Sequence, residues 1–266
     1  MIQTIAINGK RILITSARNY AKRLSEQIIN LGGLPILMPT IETCELSDYS
    51  ELDTALQNID KYEWIAFTSR NGINAFFQRL STLNFNSDIL SNCCFCAIGK
   101  DAERLKELGQ NIDLIPNESS PEGIIVDLSK VPNIQGQNIL VPVPQVIGIT
   151  EPNIIPNFVA GLQKLEMKVT RIPAYTTGCL PKNLYTVELN LIKQKFIDVI
   201  AFSSSAEVES FLQMVDDKSD YEYCTIACFG PYTAANARSL GLNVSIVSQD
   251  FSSFQGFATA IAAINS

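Results

Sequence analysis

Four short stretches concentrate the side chains and backbone groups that could hold an anion: Thr15-Ser-Ala-Arg18, Thr68-Ser-Arg-Asn-Gly72, Ser203-Ser-Ser205 and Gly230-Pro-Tyr-Thr233. Each follows an apolar run and precedes a helical pattern. That places Ser16, Arg18, Thr68, Ser69, Arg70, Asn71, Ser203, Ser204, Ser205, Gly230, Pro231 and Thr233 where helices begin, with Gly99-Lys100 a further turn of the same kind. Unpaired N–H groups at a helix start attract carboxylates, and Arg18, Arg70 and Lys100 can add charge. Ser and Thr at these positions are equally suited to capping the helices. Tyr175 stands apart, in an extended stretch after Pro173. Its phenol could donate a proton to a leaving oxygen, although a group of ordinary pKa ~10 is a weak acid. It could equally serve as packing.

The missing residue types narrow the chemistry further. The 266 residues contain no histidine, which removes the commonest general base and imidazole metal ligation. Cys93-Cys94-Phe95-Cys96 has thiolate spacing, but no second ligand cluster completes it, so the seven cysteines read as reduced, mainly buried small hydrophobes. The glycines at Gly99 and Gly230 form neither a phosphate loop nor a dinucleotide fingerprint. No cofactor and no metal are therefore expected. A net charge of −7 without any basic run argues against nucleic acid as a partner. The longest uncharged stretch, 131–150, is broken by prolines and is not a membrane span. The opening segment shows no leader pattern, and a cytoplasmic location is expected.

The elements that must position these residues occur twice. Lys61-Tyr-Glu-Trp-Ile-Ala-Phe-Thr-Ser-Arg-Asn-Gly72 aligns with Phe196-Ile-Asp-Val-Ile-Ala-Phe-Ser-Ser-Ser-Ala-Glu207 at an offset of 135 residues. Cys96-Ala-Ile-Gly99 aligns with Ala227-Cys-Phe-Gly230, and the segment 34–43 with 168–177, pairing Ile41 with Tyr175. Two copies at so long a spacing indicate duplicated domains, not a solenoid. In each copy, short apolar strands rich in Ile, Val and Phe alternate with amphipathic helices such as 19–31, 72–80, 102–108 and 206–214. This is the pattern of an α/β protein whose parallel sheets are covered on both faces. Gly109, Gly161 and Gly241 fall at or near helix ends.

Together, Phe67-Thr-Ser-Arg-Asn-Gly72, Phe202-Ser-Ser-Ser205, Ala97-Ile-Gly99, Cys228-Phe-Gly-Pro-Tyr-Thr-Ala234 and Ile172-Pro-Ala-Tyr-Thr176 resemble the uroporphyrinogen-III synthase family. The likeness runs from Lys10 to Ala263 and is strongest to cyanobacterial and plastid forms. It implies two similar parallel-sheet, flavodoxin-like domains joined by a two-stranded connection. One domain would be 1–38 plus 178–266 and the other 44–171, with connecting strands at 38–43 and 172–177. The implied activity is lyase chemistry in heme and chlorophyll biosynthesis, in which hydroxymethylbilane closes to uroporphyrinogen III with its last pyrrole inverted. Loss of the terminal hydroxyl to an azafulvene, a spiro intermediate, fragmentation and reclosure are driven by the pyrrole nitrogens, so the protein mainly holds the chain folded. Tyr175 would assist departure of the hydroxyl, and Thr233 matches the family's Gly-Pro-x-Thr-Ala turn. Ala102 and the Val141-Pro-Val-Pro144 strand end depart from the family's commoner Thr and Arg. The implied partner is a small anionic molecule met by a cytoplasmic monomer with at most transient contact to neighbouring pathway enzymes. The competing class is a two-domain protein that clamps an anionic small molecule without chemistry.

Overall fold

A computed structural model describes residues 7–99, 101–251 and 253–263. These divide into two compact units. The first comprises the described part of Met1–Thr43, Ile147–Pro152 and Gly178–Ser266; the second comprises Cys44–Val146 and Asn153–Thr177.

The first unit holds β1 (Arg11–Ile14), α1 (Arg18–Asn30) and β2 (Leu34–Leu37), and then β8 (Val199–Phe202), α8 (Ser205–Met214), β9 (Thr225–Cys228), α9 (Pro231–Ser239), β10 (Val244–Val247) and α10 (Phe254–Ala262). Its sheet has the order β10-β9-β8-β1-β2, with Ile12, Leu13 and Ile14 in parallel register with Val199, Ile200 and Ala201. Successive side chains of a strand point to opposite faces, so a strand covered on both sides must be apolar throughout. β1 shows this directly: Leu13 joins a core with Ile200, Phe202 and Phe211, whereas Ile12 and Ile14 join one with Val199, Ala201 and Ala21.

The second sheet has the order β3-β7-β6-β4-β5. Its strands are β3 (Ile41–Cys44), β4 (Trp64–Phe67), β5 (Cys94–Ala97), β6 (Asn138–Ile147) and β7 (Lys168–Cys179). α3 (Arg70–Thr82) and α4 (Asp101–Glu107) follow β4 and β5, and α5 (Pro121–Leu128) and α6 (Ile154–Lys164) pack on one another. β4 runs parallel to both β5 and β6. The four residues of β4, like those of β8, are buried.

Two sequence expectations need revision. The segment 147–152 belongs with the first unit, because β6 is ten residues long and carries the chain out of the second. The stretch 38–43 is not one strand: Met38, Pro39 and Thr40 separate β2 from β3, whereas its duplicate is the single strand β7. Gly161 lies in the last turn of α6, near the helix end as expected, where a Cβ would come 2.2 Å from Ile125 Cδ1, so its smallness serves helix packing. Gly109 and Gly241 do follow helix ends, at φ +77° and +86°. Among the described residues no helix is long and apolar enough to cross a membrane.

Candidate active site

Open α/β sheets receive ligands beyond the carboxyl ends of their strands, where neighbouring strands lead off in opposite directions. In the first sheet that point lies between β1 and β8. β1 ends in buried Thr15 and Ser16, and β8 in half-buried Ser203 and Ser204. Ser16 Oγ lies 3.1 Å from Ser203 Oγ, which joins the two turns. Arg18, the first residue of α1, is exposed, and no side chain caps that helix at Ala17. Ser204 caps α8, its Oγ accepting the Glu207 N–H at 3.4 Å. Ser205 lies within the helix, buried, and its Oγ has no partner. Gly230 precedes α9, with Pro231 at the first helical position, Thr233 buried in the first turn and no side-chain cap. Neither Ala17 nor Gly230 caps its helix with a side chain, the setting in which a helix start can receive an anion. A Cβ at Gly230 would sit 3.1 Å from Phe251 Cβ, so the glycine leaves room for the Phe251 side chain.

Sequence reasoning missed the residue at the centre of this arrangement. Glu207 is 2% exposed. One of its carboxyl oxygens accepts from Thr15 Oγ1 and from the Ser203 N–H, both at 2.8 Å. The other meets Ser203 Oγ in a short contact and Ser204 Oγ at 3.1 Å. Burial pushes the carboxyl above its ordinary range, and hydrogen bonds from Ser203, Thr15 and Ser204 oppose that shift. Ser204-x-x-Glu207 reads as a capping box, which conceals the burial. The visible signal was the duplicate position, where Gly72 stands instead.

In the second unit the corresponding point lies between β4 and β6. Ser69 caps α3 by accepting the Gly72 N–H at 3.2 Å, and a Cβ at Gly72 would lie 3.3 Å from the Pro142 carbonyl oxygen of β6. Tyr175, on β7, is 7% exposed and belongs to the buried core that includes Phe67 and Leu140. Its hydroxyl reaches Ser69 Oγ at 3.0 Å, joining the phenol to the helix start. Thr68, Arg70 and Asn71 are half-buried around that turn, and Arg70 pairs with exposed Glu107 at 3.4 Å. Gly99 has φ +45°, with Ser119 Oγ 2.8 Å from where a Cβ would lie; Lys100 lies outside the described residues. Asp101, not anticipated from sequence, is pushed up to about 6 by burial, with Arg70 opposing.

The structure thus gathers Ser16, Ser203 and Ser204 around Glu207, and Ser69 and Tyr175 around the α3 start. The hydroxyls of Ser69 and Ser204 are engaged as caps. All seven cysteines are free; burial pushes Cys93 up to about 11, which keeps it a thiol, and no cluster of described residues is built to hold a metal.

Residues 22–256 match the family described as Uroporphyrinogen-III synthase HemD. The chain is 28% identical over 251 residues to a uroporphyrinogen-III synthase of Synechococcus elongatus, covering 91% of each protein. It is also 28% identical over 242 residues to a porphyrin biosynthesis protein HemD of Ruminiclostridium josui, covering 88% of this chain but only 45% of that longer protein. Its fold is similar to a crystal structure of a mutant uroporphyrinogen III synthase from Thermus thermophilus, with a TM-score of 0.69 at 18% identity over 97% of this chain and all of that one. With the match running through nearly the whole chain, from α1 into α10, the protein belongs to the uroporphyrinogen-III synthase family.

Proposed function

We infer that this chain carries the activity for which its family is named, converting hydroxymethylbilane to uroporphyrinogen III with loss of water and inversion of the last pyrrole. The observation that carries this reading is the family match over residues 22–256, which takes in Tyr175 and three of the four candidate turns. In the first unit, strands in chain order lie 2-1-3-4-5 across the sheet, a flavodoxin-like order that sets the β1 and β8 ends side by side.

Hydroxymethylbilane carries an acetate and a propionate on each pyrrole, and a chain of net charge −7 offers it no bulk attraction. Local donors must supply the binding. The uncapped starts of α1 and α9, with Ser203 and exposed Arg18, suit carboxylates in the first unit. Arg70 and the α3 start suit them in the second. Tyr175 gives its proton to the departing hydroxyl. As it does so, Ser69 Oγ, 3.0 Å away, donates to the phenolate oxygen that forms. The pyrrole nitrogens then drive ring attack and reclosure, while the bound geometry excludes direct closure to the type I isomer. No metal or nucleotide takes part, and the protein works as a cytoplasmic monomer.

The test is to mix the purified protein with freshly prepared hydroxymethylbilane, with and without chelator, and resolve the isomers formed. Mainly type III product in both cases is expected. Mainly type I product at ample enzyme would overturn the reading in favour of a binding protein without this chemistry.

A further inference from the structure

Glu207 sets the direction of a chain of hydroxyls. Ser203 Oγ touches the carboxyl on one side and Ser16 Oγ, 3.1 Å away, on the other. While Glu207 is ionised it can only accept, so the Ser203 proton points inward to the carboxylate and Ser16 must donate to Ser203. Ser203 then turns a lone pair, not a proton, toward an arriving anion. When Glu207 is protonated it can donate to Ser203 Oγ, which frees the Ser203 proton to point outward. Ser203 is half-buried, the more accessible end of this chain; Ser16 is fully buried.

The surroundings favour such a change. Among the described residues no cation bonds the carboxyl: its partners are Thr15 from the β1–α1 turn and Ser203 and Ser204 from the β8–α8 turn. The segment after β2 contributes Thr40, whose Oγ1 donates to the Glu207 backbone carbonyl at 3.3 Å. β9 contributes Cys228, pushed up to about 12 and so a neutral thiol. A substrate carboxylate bound at the turn would add a second negative charge in a setting of low dielectric, where like charges cannot both persist cheaply.

We propose that Glu207 takes up a proton from solvent when a substrate carboxylate binds at the β8–α8 turn, reversing the Glu207–Ser203 hydrogen bond so that Ser203, still accepting from Ser16, donates its proton to the ligand. This rests on the reading that the turn holds a substrate carboxylate. It makes Glu207 a positioning residue, acting through Ser203, and makes substrate affinity fall as pH rises.

Three proteins measured across the neutral pH range test it: wild type, Glu207→Gln and Ser203→Ala, each assayed for KM and kcat with hydroxymethylbilane. Wild-type KM should rise by up to about tenfold per pH unit above the Glu207 titration, the limit for uptake of one proton. Glu207→Gln, whose amide is a permanent donor toward Ser203, should hold KM low and flat with pH. Ser203→Ala should raise KM at every pH. If Ser203→Ala leaves KM unchanged, the reading of the turn as a substrate site fails. If it raises KM while wild type and Glu207→Gln share one pH profile, the site stands and the proton linkage is overturned. Should Glu207→Gln not fold, proton uptake can be followed directly in weakly buffered wild-type protein mixed with anaerobic uroporphyrinogen III. Net uptake supports the proposal, and none refutes it.

Discussion

Replacing Tyr175 by Phe separates two roles that the buried phenol combines. The residue is 7% exposed and part of the core that includes Phe67 and Leu140, and Phe keeps the ring in it. Only the hydroxyl is removed, and with it the 3.0 Å contact to Ser69 Oγ. Ser69 still accepts the Gly72 N–H, so the α3 cap survives. Loss of that contact costs about 1 kcal/mol of stability, against ~3–5 kcal/mol for the cavity that Tyr175→Ala would leave. Catalysis should suffer more. General-acid help spans 10²–10⁴-fold in general, but a pyrrole expels hydroxide readily, so a loss of roughly tenfold to a hundredfold in kcat is expected with KM little changed. That corresponds to ~1.4–2.8 kcal/mol of barrier. Urea unfolding gives the first quantity, and initial rates of uroporphyrinogen III formation the second. A folded Tyr175→Phe protein with an unchanged kcat would refute the acid role and leave this residue to packing alone.

Because Ser69 and Ser204 act as caps, Ser→Ala at either position should lower stability by about 0.5–2 kcal/mol, measured by denaturant unfolding. Ser204→Ala should retain turnover, whereas Ser69→Ala, which also removes the donor to the Tyr175 oxygen, should lower kcat; abolished turnover in folded Ser204→Ala would point instead to a catalytic hydroxyl. Asp101, at about 6 when folded against an ordinary 3.8, binds more protons folded than unfolded. Its contribution is therefore most favourable below about pH 4 and is lost as pH rises toward 6. Asp101→Asn should flatten that decline in the unfolding free energy, and an unchanged slope would contradict the assignment of the titration to this carboxyl.

Much of the fold is legible in the chain because β4 and β8 are continuous apolar runs ending in a Ser turn, a pattern that burial on both sheet faces dictates. The helix starts at Ser69 and Ser204 are legible for the same local reason. Glu207 is not, since an acidic residue three positions after a capping Ser ordinarily stays at the surface. Its burial depends on Thr15, which lies 192 residues earlier in the chain. Asp101 is hidden in the same way, because burial and Arg70 of another turn set its titration. The break at Met38-Pro39-Thr40 is equally non-local: Thr40 N donates to Thr15 O at 3.0 Å, and Thr40 O accepts from Ser210 Oγ at 2.7 Å.

The position of β1 between β2 and β8 sets a timetable for synthesis. Its partners on β2 follow within about thirty residues, but those on β8 begin at Val199, so Ile12, Leu13 and Ile14 leave the ribosome long before that second neighbour exists. At translation rates of ~5–20 residues per second, that delay is roughly ten to forty seconds. Throughout it a strand whose three apolar side chains are fully buried in the finished protein has an open edge, the condition for misassociation in a crowded cell. The second unit, Cys44–Val146 with Asn153–Thr177, has its whole sequence available by residue 177 and can form meanwhile. A nascent chain halted before β8 should therefore protect the second unit from protease while α1 and its flanking strands remain open to cleavage.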